Sequence, residues 1–90
     1  MAMHLNSYGL KQKGFELIAA YNCFDKWYFM EDKKKWRYTC TTVECWKSEK
    51  TYLVRLKKGY IWDLAYDTKE AANAKVKSLF ENSTFHKKVF

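Results

Sequence analysis

Two short runs of cations stand out for what they could bind: Lys33-Lys34-Lys35 followed by Arg37, and Lys57-Lys58 preceded by Arg55. Lysine ammonium groups attract a polyanion over long range and reach phosphate oxygens, and the counterions they displace supply affinity with little reading of base sequence. Arginine adds a flat guanidinium that grips phosphate through two bonds or stacks on a base. The chain sets 17 Lys+Arg against 10 Asp+Glu, a formal +7 over 90 residues, which is more than solubility alone requires. An exposed Trp27, Phe29 or Tyr8 would give bases a ring to stack on.

The residue types used in catalysis and metal binding are present, but not at working spacings. Cys40 and Cys45 are five apart, and His4 and His86 stand near the two ends. That spacing fits no zinc finger and leaves a fourth ligand unaccounted for, so no metal and no other cofactor is expected. A Cys–His nucleophile pair would lack a third group to orient it. Asp25, Asp32 and Asp63 are isolated carboxylates, which read as surface charges or as partners for lysine. Only three glycines are available, and no phosphate-cradling or nucleophile-presenting glycine motif occurs. A chain of this length has room for a core but hardly for a cleft as well, so no enzymatic activity is expected.

Any binding surface must be positioned by the elements that the hydrophobic pattern allows. Apolar residues make up 48% of the chain and aromatic residues 19%, which excludes disorder as the main state. The longest apolar runs, such as Leu17 to Ala20, are too short for a membrane-spanning helix. One domain is expected over 1–90, with 1–14 and 83–90 loosely ordered. A strand, or a short helix in competition with it, is expected from Phe15 to Asn22. Lys26–Glu31 and Trp36–Thr42, either side of a polar four-residue loop, read as a β-hairpin. Residues 43–50 read as a connector with a capping-box spacing between Thr41 and Glu44. A second hairpin joins Thr51–Leu56 to Tyr60–Tyr66 through Lys57-Lys58-Gly59, where glycine supplies the positive φ of a tight turn. The last element is the clearest. Asp67-Thr68-Lys69-Glu70 places a side-chain acceptor at a helix start and a carboxylate three residues on. Ala72, Val76, Leu79 and Phe80 then fall on one face, predicting a helix from about Thr68 to Asn82. The fold class is α+β: a small antiparallel β-meander of three to five strands with one C-terminal α-helix packed on one face.

In such a meander, alternate loops emerge at the same end of the sheet. Lys33, Lys34, Lys35, Lys57 and Lys58 are therefore expected to form one patch, opposed locally by Asp32. Strand alternation assigns Trp36, Tyr38 and Cys40 to a core-facing set, together with Tyr52, Val54, Leu56, Tyr60, Trp62 and Leu64. Arg37, Thr39, Thr41, Leu53, Arg55, Ile61, Asp63 and Ala65 fall on the opposite face, which is expected to be wet and basic.

The strands leading into Tyr66-Asp67-Thr68-Lys69-Glu70-Ala71-Ala72 resemble the sheet-then-helix layout of phage-integrase arm-binding domains. They are also similar in layout to the plant ethylene-response DNA-binding domain, over roughly residues 36–81. In those families Arg and Trp side chains on the strands enter the major groove; here the strands offer Arg37 and Arg55.

The function class expected is a small basic nucleic-acid-binding protein, with RNA slightly preferred over DNA, that holds the phosphate backbone with low sequence specificity. Its candidate contact residues are Lys33, Lys34, Lys35, Arg37, Arg55, Lys57 and Lys58. The alternative, from another class, is a non-catalytic inhibitor that binds a host protein such as a toxin, nuclease or defence enzyme, alone or together with its RNA. Fifteen of the 17 basic residues are lysine and there is no proline, a composition that AT-rich genomes favour and that suits a phage-type, counter-defence origin. An odd, sparse cysteine count behind a leaderless N-terminus reads as reduced and cytoplasmic. No membrane association is expected, and an exposed strand leaves room for an edge-to-edge homodimer.

Overall fold

The computed structural model describes residues 4–90. Its elements run α1 (Ser7–Gln12), β1 (Glu16–Met30), β2 (Lys35–Lys47), β3 (Tyr52–Lys57), β4 (Ile61–Tyr66), α2 (Lys69–Glu81) and β5 (Phe85–Lys88). All five strands form one open antiparallel sheet in the order β4-β3-β2-β1-β5, so the meander is extended by a last strand that returns beside β1. The architecture is α+β. The C-terminal segment expected to be loose is thus the edge strand β5, and α1 occupies the N-terminal segment.

Helix α2 starts one residue later than the Asp67–Glu70 spacing implies. Thr68 is the N-cap, and its hydroxyl accepts from the Ala71 N–H at 3.2 Å. Ala72 and Val76 are buried against Cys23, Val43 and Val54, and Leu79 and Phe80 pack on the rim of the same cluster. Tyr21 meets Phe80 edge-on at 4.8 Å, and Phe80 stacks on His86 at 3.8 Å, which ties the helix to β1 and β5.

The sheet has a second core on its other face. Leu10 from α1 packs with Trp46 and Leu53, and Phe15 and Leu17 close around them. Asn6 caps α1 through a 2.8 Å bond from the Gly9 N–H. Because both faces are covered here, Val43 and Cys45 turn toward α2 while Trp46 turns toward α1. The expected connector at 43–50 is therefore strand as far as Lys47, followed by a tight turn in which Ser48 and Thr51 bond one another.

The strands have unequal lengths, and that sets the shape. β1 is 15 residues and β2 is 13, whereas β3 and β4 are 6 each and β5 is 4. β3 pairs only with Thr42–Lys47 of β2, and β5 only with Tyr21–Phe24 of β1. Residues 25–30 and 35–41 therefore project beyond the body as a two-stranded arm. The radius of gyration is 14.9 Å with a long axis of 50 Å; a compact chain of this size would have about 12 Å.

The arm corrects one expectation about faces. Trp36, Tyr38 and Cys40 do not share a face with Val54 and Leu56, because Val43 and Cys45 are the β2 residues opposite Leu56 and Val54. Even-numbered β2 residues lie on the α1 side, and no helix reaches the arm, so Trp36, Tyr38 and Cys40 are exposed. Of the rest of that set, Tyr52, Val54, Leu56, Trp62 and Leu64 lie on the α2 side, but Trp62 and Tyr60, at the end of the sheet beyond the reach of α2, are exposed rather than core. At the arm tip Lys33 N–H bonds the Met30 carbonyl at 3.2 Å and Lys34 takes φ +52°, a left-handed turn conformation. Gly59 supplies φ +72° in the β3–β4 turn, as its position predicts.

Candidate nucleic-acid interface

The two lysine loops do point toward the same end of the sheet, but they do not meet. Lys57 is paired with Thr42, whereas Lys35 begins the same strand seven positions earlier. At a strand rise of ~3.3 Å this separates them by about 23 Å. Lys33, Lys34 and Lys35 are exposed at the arm tip, and Lys58 is exposed in the other turn. Lys57 is half-buried and holds Glu44 at 3.3 Å. The single five-lysine patch is thus two separate sites, because the first hairpin outgrows the second.

Arg55 is also not where a nucleic acid could reach it. It is 0% exposed. Its Nε donates to Asp63 Oδ1 at 2.7 Å and its second guanidinium nitrogen donates to Asp63 Oδ2 at 3.0 Å, a bidentate fork. His4 Nδ1 donates to the same Oδ2 at 3.1 Å. Glu44 lies opposite Arg55 in the β2–β3 register, accepting from Trp46 Nε1 at 3.2 Å while it pairs with Lys57. The face expected to be wet is a buried charge layer at this point. Desolvation pulls the Asp63 carboxyl upward, but the hydrogen bonds from Arg55 and His4 outweigh it and hold the group below its ordinary value.

Arg37 lies on the arm, exposed, with its guanidinium 5.9 Å from the Trp27 ring. Trp27 is the extra residue of a β-bulge between Lys26 and Tyr28 and is 65% exposed. It packs beside Tyr28 at 5.9 Å. These residues occupy the α2 side of the arm, together with Asp25, which pairs with Thr39.

The α1 side of the arm carries a different set. Register puts Phe24, Lys26 and Phe29 opposite Cys40, Tyr38 and Trp36, and Phe85 of β5 beside Phe24. Phe24 stacks on Phe85 at 4.7 Å, Phe85 meets Tyr38 edge-on at 5.3 Å, and Phe29 meets Trp36 at 5.2 Å. The Lys26 ammonium lies 5.1 Å over the Trp36 ring. Trp36 and Tyr38 remain 43% and 42% exposed despite these contacts. Lys26, Trp36, Tyr38 and Phe85 are the residues that sequence reasoning missed. Counting register outward from the 31–34 turn pairs Trp36 with Phe29, and the mutual alternation of aromatic and lysine was the available signal. Strand alternation instead assigned Trp36 and Tyr38 to a core-facing set, and gave Lys26 and Phe85 no role.

Of the cysteines, Cys40 is exposed on the arm, whereas Cys23 is buried and Cys45 half-buried. All three are free; burial pushes the Cys23 and Cys45 thiols up, which keeps them protonated and weakly nucleophilic at neutral pH. Among the described residues, no three metal-ligating side chains converge, and no helix is long and apolar enough to cross a membrane. No family model, curated protein or solved structure matches the chain, so the layout resemblance of residues 36–81 rests on the strand, cap and helix step alone.

Proposed function

We propose that the protein binds nucleic acid without catalysis, RNA in preference to DNA, through the projecting arm of β1 and β2. The observation that carries this reading is the arm itself: five cations, Lys26, Lys33, Lys34, Lys35 and Arg37, interleaved with exposed rings on a ribbon that the hydrophobic cores do not need. Lysine-rich surfaces hold phosphate with little discrimination among sequences, and shape, phosphate contacts and stacking suit RNA. Lys57 and Lys58, about 23 Å away, extend the positive field rather than the contact surface. Arg55 has no part in it.

Mobility shifts of single-stranded RNA, duplex RNA and duplex DNA at two salt concentrations test the proposal. Binding should weaken with salt, and charge reversal of Lys33, Lys34 and Lys35 together should flatten the slope of log K against log[salt] by about 2 for a single strand. Charge reversal of Lys58 should change the slope by less than half of that. A slope left unchanged by the triple variant, with folding intact, means that the arm lysines are merely solvated. The exposure of Trp27 and Tyr28 on the α2 side of the arm favours a second reading, a non-catalytic inhibitor that anchors these rings in a host protein. That reading takes over if no nucleic acid binds.

A further inference from the structure

Resting on that reading, we infer that the α1 side of the arm is a stacking track for an unpaired, extended strand of nucleic acid, and that the α2 side is not. Same-face neighbours on a β-strand are two residues apart, so Trp36 and Tyr38 present rings about 6.8 Å from one another along β2. Bases in a duplex follow one another at 3.4 Å per strand. A strand whose bases meet both rings must therefore be stretched to about twice the duplex rise, its bases unstacked from each other and each lying against a side chain. A paired, stacked duplex cannot adopt that spacing.

The placing of carboxylates favours the same face. From Asn22 to Phe29 and from Trp36 to Thr42, the residues that register assigns to the α1 side include Lys26 and no carboxylate, and Lys87 on β5 continues the face beside Asn22. The α2 side of the arm carries Lys35 and Arg37, but also Asp25 between Trp27 and the body. Phe85 is held against both Phe24 and Tyr38, so the inner end of the track is fixed by the C-terminal strand. Lys26, over Trp36, is positioned to meet a phosphate while the ring beside it meets a base.

The test uses the full chain with a fluorescently labelled oligouridylate and a duplex RNA of equal length. The single strand should bind at least about tenfold more tightly than the duplex. Trp36→Ala and Tyr38→Ala should each weaken single-strand binding about tenfold or more, Trp36→Phe should retain most of it, and Trp27→Ala should change it less than about threefold. Because Trp36 and Tyr38 lie on the arm outside both cores, these variants should stay folded by circular dichroism, with only a small drop in melting temperature from the lost ring contacts. Equal binding of both RNAs, unaffected by Trp36→Ala and Tyr38→Ala, overturns the stacking track while leaving nucleic-acid binding in place. A larger loss from Trp27→Ala than from Trp36→Ala moves the contact to the α2 side and overturns it too. Failure of both RNAs to bind the folded protein removes the nucleic-acid reading together with the track.

Discussion

Arg55 shows how far one residue's fate depends on its neighbours. On sequence it is an arginine on a mixed strand face, the residue type most suited to phosphate or base; in the structure Asp63, one strand away, claims it. Only the register of β3 against β4 brings the two together, and that register follows from the turn at Gly59. The consequence for stability is asymmetric. Asp63→Asn leaves a guanidinium with no exposure facing a neutral amide, and should cost about 2–4 kcal/mol. Arg55→Met removes the buried charge and leaves a carboxylate that still has 22% of its side chain exposed to water, so it should cost less. The pH dependence has a definite sign. Since the Asp63 carboxyl lies below its ordinary value when folded, its stabilisation is present above the unfolded value and is lost as pH falls through the folded one. Denaturant unfolding across acid pH should show the gap between wild type and Asp63→Asn closing in that window and staying constant at neutral pH.

Among the elements, those with local chemistry were legible and those held by partners were not. Helix α2 declares itself through Thr68, Glu70 and the Ala72-Val76-Leu79-Phe80 stripe, and the β3–β4 hairpin through Gly59. Leu79→Ala should accordingly cost about 1–3 kcal/mol, as a half-buried residue, and Lys77→Ala less than about 0.5 kcal/mol. Thermal melts showing equal losses would mean that the helix presents another face. β1 is harder to read. Its bulges at Ile18 and Trp27 shift the alternation twice, and Asn22, Asp25 and Lys26 interrupt its apolar run, so only pairing to β2 along its length makes it one strand. β2 hides for the opposite reason: with a helix on each side of its C-terminal half, both faces are apolar there and the period of two disappears. β5 has no sequence signature, because Phe-His-Lys-Lys gains its order from β1. The candidate site suffered most from these effects, since the arm exists only because β1 and β2 outrun their neighbours.

Taken whole, the molecule is a small two-core body with a ribbon on one side, and the ribbon has a property unlike the body's. β5 covers one flank of the sheet as far as Phe24, with the Thr84 hydroxyl accepting from the Lys26 N–H beyond it, and β3 covers the other only from Thr42, so the flanks of the arm at residues 27–30 and 35–41 leave backbone N–H and C=O groups without strand partners. Such flanks are templates for another strand, and lysine is a common guard against that pairing. The same Lys26, Lys33, Lys34 and Lys35 that would attract a polyanion therefore also keep copies of the chain apart. Colloidal behaviour should reveal this second duty: light scattering by concentrated protein should rise as salt screens the arm charges, rise earlier when Lys26 and Lys35 are replaced by Thr, and fall back when a proline at Cys40, whose N–H faces away from β1, spoils the β2 flank. A bound polyanion, by neutralising the guard, would carry the same hazard, so the ratio of protein to ligand becomes a determinant of whether the complex stays in solution.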